Sequence, residues 1–268
     1  MAKGISVHIG LNRVDPNHYE GWDGQLVACE ADAKDMLALA KKQKFASSPL
    51  ILTEAATAPA VINAISNAAK TLTAGDLFFL TYSGHGGQVR DTNAEEDDRM
   101  DETWVCFDRQ LVDDELYVLW SKFKAGVRVL VLSDSCHSGT VTRAVPAFIS
   151  GGPRMRAMPF TVVKAVHKAH AKLYADIQNA NRAGELAKVK ATVLLISGCM
   201  DNQYSQDGDR NGLFTGTLKT VWSGGRFRGA YRRFRDVIVS RMPADQTPNY
   251  YVVGAKNPLF EAQKPFTI

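Results

Sequence analysis

The sequence predicts an α/β fold in which helices cover both faces of a mostly parallel β-sheet. Short apolar runs typical of buried strands alternate along the chain with longer segments whose apolar residues recur at helical spacing. Strands that alternate with helices form right-handed crossovers, and these place successive strands parallel in one sheet. The chain has 268 residues, of which 45% are hydrophobic, so it can bury the sizeable core that such a fold requires.

The predicted elements follow one another without an internal repeat or a low-complexity tract. We predict strands at residues 5–11, 50–52, 76–81, 103–107, 127–132, 191–197 and 250–253. We predict helices at residues 28–44, 61–72, 113–123, 160–187, 212–223 and 229–241. Residues 12–25 and 140–159 are rich in turn-forming residues, so we expect a loop at the first and a flexible connection at the second.

Composition and cysteine usage narrow the class of protein. The net charge of +4 is mild and requires neither a nucleic-acid nor a membrane partner. The four cysteines form no C-x-x-C pair, which argues against a zinc knuckle and a thioredoxin motif and fits a reducing compartment. No signal peptide and no apolar run of membrane-spanning length is present, so the cytosol is the expected location.

Two short polar segments each follow a predicted buried strand. They are residues 82–87 (YSGHGG) and residues 134–139 (DSCHSG), which place His85 and Cys136 51 positions apart. The carboxyl ends of parallel strands are where open α/β sheets bind ligands. A thiol becomes a good nucleophile only beside a base or a cation, which the histidine supplies. The pair predicts a cysteine hydrolase, with the backbone N–H groups of Gly86 and Cys136 available to hold an oxyanion.

Each of these residues has a plainer interpretation. A free cysteine is most often a buried structural residue, but a core histidine would not need the three glycines that surround His85. His137 is a rival base, although its position directly after Cys136 should turn its side chain away. We therefore favour His85 and Cys136 as the reacting pair.

Two carboxylates are candidates for substrate contacts. Asp134 lies two residues before Cys136, so on an extended strand both side chains face the same side. A carboxylate there suits a guanidinium or ammonium group of the substrate. Asp32 lies at the start of a predicted helix and could act in the same way, or it could be an ordinary carboxylate at a helix terminus.

Three further clusters have weaker signals. Residues 91–115 hold eleven carboxylates, which are either solvated or able to gather a hard cation such as calcium, although the spacing is not that of an EF-hand. His167 and His170 lie three apart on a predicted helix, where a solvated face competes with a metal site. The arginines of residues 226–235 predict an amphipathic surface helix rather than a nucleic-acid site.

The two catalytic segments resemble the motifs of metacaspases and their prokaryotic relatives, the orthocaspases. Residues 196–203 (ISGCMDNQ) and 211–215 (NGLFT) resemble the small-subunit part of the same family. The resemblance implies a caspase-like three-layer α/β/α sandwich around a mostly parallel six-stranded sheet. It also implies a large-subunit-like part at 1–143, a connecting segment at 144–190 and a small-subunit-like part at 191–268, together forming one domain.

The resemblance further implies a cysteine endopeptidase that acts through an acyl-enzyme and cleaves protein or peptide substrates after arginine or lysine. His85 and Cys136 match the catalytic dyad, and Asp32, Ser83 and Asp134 match the substrate pocket. No organic cofactor, nucleic-acid partner or membrane is implied, and monomeric action is expected.

Many family members require calcium, and some process themselves. Asp101, Asp113 and Asp114 match three calcium-ligating positions. Arg143 stands where the fourth carboxylate is expected, and a cation there would repel calcium. For self-processing, the connecting segment offers basic residues that an arginine- or lysine-directed peptidase could recognise: Arg143, Arg154, Arg156 and Lys164.

Two other functions fit the same motifs. The chain could be a catalytically weak, caspase-like module used for regulated binding, although the intact His85 and Cys136 argue against this. It could also be a related cysteine hydrolase that cleaves after asparagine or aspartate, which the acidic pocket candidates argue against.

Overall fold

The computed structural model describes residues 2–46, 49–91, 100–136, 154–185, 187–200, 203 and 205–268. Its strands are β1 (Gly4–Gly10), β2 (Leu50–Leu52), β3 (Leu77–Ser83), β4 (Gly86–Arg90), β5 (Met100–Val105), β6 (Gln110–Val112), β7 (Arg128–Asp134), β8 (Arg154–Met155), β9 (Thr192–Ser197), β10 (Gln206–Asp207) and β11 (Asn249–Gly254). Its α-helices are α1 (Cys29–Lys42), α2 (Ala58–Thr71), α3 (Asp113–Ser121), α4 (Phe160–Glu185), α5 (Leu213–Trp222), α6 (Tyr231–Val239) and α7 (Pro258–Ala262).

A six-stranded sheet forms the centre of the molecule, as predicted. Its strand order is β11-β9-β7-β3-β1-β2. The strands pair in parallel except at one edge, where β11 runs antiparallel to β9. The register aligns the carboxyl ends of the three central strands, because Gly10 pairs with Ser83 and Ser83 pairs with Asp134. Polar residues that end these strands therefore meet at one rim of the sheet.

Helices cover both faces of the sheet and complete the three layers. Alternate side chains of a strand point to opposite faces, and each face here has its own apolar cluster. One cluster joins the sheet to α2 and α3, and the other joins it to α1, α5, α6 and α7. The fully buried β3, whose seven residues are all inaccessible, illustrates why a strand covered on both faces has a continuous apolar run.

A second, three-stranded sheet extends from the rim where His85 lies. It is antiparallel in the order β4-β5-β6, and α4 packs against it through a third apolar cluster. The sequence predicted β5 but no strand directly after His85, because two successive glycines carry no strand signal. The hydrogen bonds that make β4 a strand come from β5, which is distant in sequence.

Two helices bear on the sequence predictions. Helix α6 buries Tyr231, Phe234 and Ile238, so the aromatic residues that interleave its arginines belong mainly to the core, as expected of an amphipathic surface helix. Helix α4 is the longest described helix, with 26 residues. Within the described ranges, none of the helices offers an apolar stretch long enough to span a lipid bilayer.

Candidate active site

The predicted pocket residues meet at the rim of the central sheet. Ser83 ends β3 and Asp134 ends β7, and the two are direct register partners. Asp32 lies in the first turn of α1, where its Oδ2 accepts a hydrogen bond from Ser83 Oγ at 2.8 Å. All three side chains are buried. The structure thus brings together the three residues that sequence resemblance assigned to substrate binding.

The side chain of Arg156 fills this pocket and is fully buried. Its Nη1 lies 2.9 Å from an Asp134 carboxylate oxygen and donates to Ser83 Oγ at 2.8 Å. Its Nη2 donates to Asp32 Oδ2 at 2.7 Å. Such charge-assisted contacts to both ends of a guanidinium are the strongest that arginine makes. A residue of the connecting segment therefore occupies the position proposed for a substrate arginine.

Asp207 is a fourth pocket residue that the sequence analysis missed. Its Oδ1 accepts from Arg156 Nη2 at 2.9 Å, and its carboxylate also accepts from the backbone N–H groups of Val27 and Ala28. It lies on β10, which pairs with β8 just before Arg156. The available signal was its position shortly before the small-subunit-like segment 211–215, but nothing local distinguishes it from Asp209. We call Asp32, Ser83, Asp134 and Asp207 the arginine pocket.

Charge in the arginine pocket is balanced by hydrogen bonds as well as by the guanidinium. Burial raises the pKa of Asp32, Arg156 opposes that shift, and the neighbouring Asp134 adds to it. Asp134 accepts further hydrogen bonds from Ser205 Oγ at 2.6 Å and from Thr215 Oγ1 at 2.7 Å. Burial alone disfavours the charged form of Arg156, but the surrounding carboxylates, Asp134 foremost, raise its pKa well above the usual value.

The backbone of Arg156 is held by hydrogen bonds at both its N–H and its carbonyl oxygen. Its N–H donates to the carbonyl of Ser205 at 2.9 Å, extending the antiparallel pairing of β8 with β10. Its carbonyl oxygen accepts from the N–H of Gly86 at 2.9 Å and from the N–H of Cys136 at 3.1 Å. Two converging N–H donors on one carbonyl form the geometry of an oxyanion hole. They are the two groups that the sequence analysis expected in that role.

His85 lies beside the peptide bond that follows Arg156. Its Nε2 lies 2.9 Å from the carbonyl oxygen of Gly24 and donates to it, which leaves Nδ1 as the nitrogen able to act as a base. Nδ1 is buried with no hydrogen-bond partner among the described residues. Burial lowers the pKa of His85 to about 4, whereas the backbones of Gly24 and Ala157 oppose this shift. The imidazole is therefore neutral at pH 7 in this state of the chain.

Cys136 is fully buried, and its N–H donates to the carbonyl of Arg156. Its Sγ accepts from the N–H of Ser205, and burial, with a contribution from the nearby Cys199 thiol, raises its pKa well above the usual value. Burial thus favours the neutral form of both side chains. Exposure of the two side chains to water would lower the pKa of Cys136 and raise that of His85.

Gly86 is required by close packing between the two catalytic loops. A Cβ atom at this position would lie 1.8 Å from the carbonyl oxygen of Cys136, closer than any side chain can tolerate. The missing side chain lets the two backbones approach until their N–H groups converge on one oxygen. This explains physically why a glycine directly follows the histidine.

Several predicted residues lie elsewhere or outside the described ranges. His137 and Arg143 are not among the described residues. Among the basic residues of the connecting segment that are described, Arg154 lies on β8 and is exposed, and Lys164 lies in α4 over the ring of Phe160. Of these, only Arg156 reaches the pocket.

The two histidines of α4 pack as parts of the fold. The His170 ring stacks on that of His18, with 4.2 Å between centroids. His167 lies one helical turn before His170, and no group of converging metal-ligand atoms in the described part of the chain includes either histidine. The metal alternative that the sequence left open for this pair therefore has no support from the described residues.

Three of the predicted calcium ligands do converge. Oxygen atoms of Asp101, Asp113 and Asp114 lie within 4.8 Å of one another. Burial raises the pKa of Asp113 well above its usual value, and the charges of Asp101, Glu102 and Asp114 add to that shift. Gln178 of α4 donates to Asp101 Oδ2 at 2.6 Å. We call these three carboxylates the acidic cluster.

Comparisons with known proteins identify the family that this chain matches. The family model described as the caspase domain matches residues 14–260. A metacaspase-1 of Saccharomyces cerevisiae is 29% identical over 247 residues, covering 78% of this chain and 56% of that protein. A metacaspase-1 of Kluyveromyces lactis is 32% identical over 170 residues, covering 53% of this chain and 39% of that protein. The chain thus spans roughly half the length of these curated relatives, or less.

Two solved structures extend the comparison to the fold. A crystal structure of a protein from Geobacter sulfurreducens superposes with a TM-score of 0.90 at 55% identity, covering 99% of this chain and 98% of that one. Caspase-1 of Spodoptera frugiperda superposes with a TM-score of 0.54 at 9% identity, covering 94% of this chain and 86% of that one. The second likeness concerns the fold alone.

Proposed function

This chain belongs to the caspase-domain family of cysteine peptidases, and on that premise we propose that it is an endopeptidase that cleaves after arginine. We propose in addition that its first substrate is its own Arg156–Ala157 bond. One observation carries both proposals. The Arg156 side chain lies in a pocket of three carboxylates, while the carbonyl of the same residue accepts two hydrogen bonds from the N–H groups of Gly86 and Cys136.

The geometry supports the following mechanism. The sulfur of Cys136 attacks the carbonyl carbon of Arg156, and the two N–H groups stabilise the oxyanion that forms. His85 removes the thiol proton and delivers it to the nitrogen of Ala157, which leaves as an amine. The acyl group of Arg156 remains on sulfur as a thioester until water hydrolyses it and regenerates the thiol. The route requires only the Cys136 thiol, the His85 imidazole, the two backbone N–H groups and water, and it needs no organic cofactor.

We propose that arginine is preferred over lysine. The guanidinium reaches Asp134 and Ser83 through one nitrogen, and Asp32 and Asp207 through the other. A lysine ammonium is a single point that cannot span both pairs. Lysine would therefore leave part of the arginine pocket without a cation, and it should be cleaved more slowly rather than rejected.

The uncleaved chain should be self-blocked. Arg156 occupies the pocket that an external arginine would need, and Cys136 is also fully buried. Any external substrate has to compete with a segment that is part of the same molecule and therefore at high effective concentration. Cleavage at Arg156–Ala157 would convert this internal competitor into a product that can leave the pocket.

A panel of fluorogenic peptides tests the proposal directly. Matched peptides with arginine, lysine, aspartate or asparagine at the cleavage position are incubated with the full chain and with the Cys136→Ala variant. We expect turnover in the order arginine, then lysine, and none for the other two or for the variant. Mass analysis of the same samples should show fragments ending at Arg156 and beginning at Ala157 in the wild type alone. Cleavage after aspartate or asparagine would support the other hydrolase class, and absence of any turnover would support the binding module.

Calcium stimulation stays a prediction. The acidic cluster offers three oxygens to a hard cation. Burial is the main cause of the raised pKa of Asp113, and a bound cation would relieve the carboxylate repulsion that adds to it. We propose that Asp101, Asp113 and Asp114 hold calcium, and repeating the peptide panel with and without calcium tests whether binding affects turnover.

We also propose a reducing compartment such as the cytosol, because all four cysteines are free thiols and buried. Expression in oxidising and reducing compartments, followed by thiol counting, tests this. Monomeric action stays a prediction that sedimentation analysis can check.

A further inference from the structure

The segment that follows the proposed cleavage point is anchored independently of the arginine pocket. The N–H of Met158 donates to the carbonyl of Gly86 at 2.8 Å, while the N–H of Gly86 holds the carbonyl of Arg156. Gly86 thus grips the chain on both sides of the Arg156–Ala157 bond, and Ala157 forms a parallel bridge with it. Breaking that bond removes neither the hydrogen bond of Met158 nor the packing beyond it.

The side chain of Met158 is buried on the small sheet. Only 5% of it is exposed, and its terminal methyl lies 3.0 Å from where a Cβ atom at Gly87 would stand. Gly87 pairs with Thr103, and Val89 lies on the same face two residues further along β4. The absent side chain of Gly87 makes room for the methionine, and the valine continues the apolar surface beneath it.

Helix α4 then fixes the segment to the body of the protein. Val163, Val166 and Tyr174 are buried in the same apolar cluster as Met158. The Tyr174 hydroxyl accepts from the N–H of Gln110 at 3.1 Å, and the side-chain amide of Gln178 donates to the carbonyl of Arg90 at 2.8 Å. None of these contacts involves residues 154–156, which lie just before the cleaved bond, so cleavage leaves them intact.

On the other side of the bond, the described residues just before Arg156 make fewer anchoring contacts. Before Arg156 the described chain contributes a strand of two residues, β8, of which Arg154 is exposed. The arginine side chain itself is the main anchor, and any substrate arginine competes for the same pocket. The two new ends should therefore behave differently after cleavage. The end at Arg156 can be displaced from the arginine pocket by a substrate arginine, whereas the end at Ala157 stays bound beside Gly86.

We propose that the new α-amino group of Ala157 serves as an acyl acceptor, so that the cleaved enzyme joins arginine-ended peptides to its own new amino terminus. This inference rests on the proposed self-cleavage. An external substrate forms a thioester between its arginine carbonyl and Cys136. The nitrogen of Ala157 attacks that carbonyl carbon, the C–N bond forms and the C–S bond breaks. His85 carries the proton from the amine to the departing sulfur.

Proximity is the physical reason why this reaction competes with hydrolysis. The amine is held beside the thioester as part of the same molecule, and well-oriented intramolecular reactants reach effective concentrations of about 10⁵ M or more. The product again contains an arginine–alanine bond in the cleft, which the enzyme can reopen. The joined form should therefore rise to a steady fraction while donor peptide lasts.

The test uses the self-cleaved protein and an acetylated peptide that ends in arginine ethyl ester, whose small leaving group needs little space on the far side of the cleft. Mass spectrometry then follows two products: the free peptide acid from hydrolysis, and the fragment 157–268 enlarged by the peptide acyl group. We expect both, with sequencing of the enlarged fragment placing the acyl group on the α-nitrogen of Ala157. The joined fraction should increase with pH through about 7.7–8.0, where an α-amino group loses its proton.

The possible outcomes distinguish the acyl-transfer reaction from the arginine-directed self-cleavage on which it rests. If the donor is hydrolysed and fragment 157–268 stays unmodified, the transfer reaction is wrong while arginine-directed peptidase activity stands. If the chain neither cleaves itself nor hydrolyses the donor, both are wrong. Acyl groups found only on lysine side chains would also overturn the assignment.

Two variants at one position test the anchoring argument. Met158→Leu keeps an apolar side chain of similar size and should join peptide as the wild type does. Met158→Asp places a charge on the apolar face and should release the segment, so the amount of joined fragment per hydrolysed donor should fall at least tenfold. An unchanged ratio in Met158→Asp would contradict the argument that the methionine holds the amine in place.

Discussion

The Nη2 atom of Arg156 lies 2.9 Å from Oδ1 of Asp207, although the two residues are 51 positions apart in the chain. Asp207 lies on β10, and Arg156 directly follows β8. Because β8 and β10 pair antiparallel, the strand that leads into the bound arginine lies beside the strand that supplies part of its pocket. The arginine pocket is thus assembled from four separate stretches of the chain, and its selectivity depends on all of them.

Replacing Asp207 should weaken the preference for arginine. Asp207→Asn removes the negative charge beside Nη2 and leaves one amide oxygen where two carboxylate oxygens accept from Arg156, Val27 and Ala28. A hydrogen bond to a charged group contributes about 1.5–3 kcal/mol, so kcat/KM for arginine peptides should fall about 10- to 100-fold. Lysine peptides should lose less. Asp209→Asn, an exposed change two residues further on, is the matched control and should leave the arginine-to-lysine ratio unchanged.

Replacing Arg156 should stop self-cleavage in a charge-dependent manner. Arg156→Gln leaves the pocket carboxylates without their cation, and breaking a buried ion pair in this way costs about 3–5 kcal/mol. The uncut chain should therefore persist, with a lower Tm. Arg156→Lys restores a positive charge and should be cut, although more slowly than the wild type. Intact-mass time courses measure both, and rapid cutting of Arg156→Gln at the same bond would contradict the assignment.

The stability of the protein should fall as the pH drops below 6.5, partly because of a histidine remote from the catalytic pair. Burial lowers the pKa of His8 to about 3, and its ring nitrogens contact the hydroxyls of Ser6 and Thr81. The unfolded chain binds a proton at the ordinary value of 6.5, whereas the folded chain does not until about pH 3. Folding stability is therefore complete above pH 6.5 and decreases as the pH falls toward 3.

The expected slope from His8 is about 1.4 kcal/mol per pH unit once the unfolded group is fully protonated. Urea unfolding of the Cys136→Ala protein between pH 7 and 4.5 measures the total, and adding His8→Asn should reduce the slope by about that amount. An unchanged slope would show that His8 titrates normally in the folded protein.

Two glycine substitutions should have opposite effects. Gly86→Ala forces a Cβ atom into the carbonyl of Cys136, so it should abolish peptidase activity and lower the Tm. Gly216 lies within α5, where a Cβ atom would have its nearest neighbour at 3.6 Å, an ordinary contact. Gly216→Ala should therefore stabilise the protein by about 0.5–1 kcal/mol, as expected for a helix interior. Thermal unfolding and the arginine peptide assay report both changes.

Calcium bound at the acidic cluster should stabilise the protein. At a concentration one hundred times the Kd, a single site adds about 2.7 kcal/mol to the free energy of unfolding. Asp113→Asn removes one ligand charge and should abolish the increase in Tm with calcium, while Asp209→Asn should preserve it. Titration calorimetry provides a direct measure, and binding of equal strength in Asp113→Asn would place the ion elsewhere.

The parts of the molecule that the sequence predicts well are those whose signals are local. Buried runs such as residues 76–81 and 127–132 identify the central strands, and the polar segments that end them place His85 and Cys136 at one rim. Helix boundaries are recovered to within a few residues because amphipathic spacing repeats over many turns. The prediction of a mostly parallel, six-stranded sheet covered on both faces is confirmed.

Long-range features could not be predicted in the same way. Strand β4 exists because β5 pairs with it, and its glycines have no strand preference of their own. Arg156 was one of four basic candidates, and only the folded arrangement distinguishes it from Arg154 two positions earlier. Asp207 acquires its role from a pairing with β8 that no local pattern reports.

Strands β7 and β9 are neighbours in the central sheet, and this affects how the protein refolds after cleavage. Cleavage between Arg156 and Ala157 would leave β7 in one polypeptide and β9 in the other, with six register pairs still joining them. The two pieces would stay together as one particle while folded, but recovery from denaturation would require them to find each other. Refolding would then depend on protein concentration, so a cleaved molecule that unfolds in dilute solution would seldom regain its native fold.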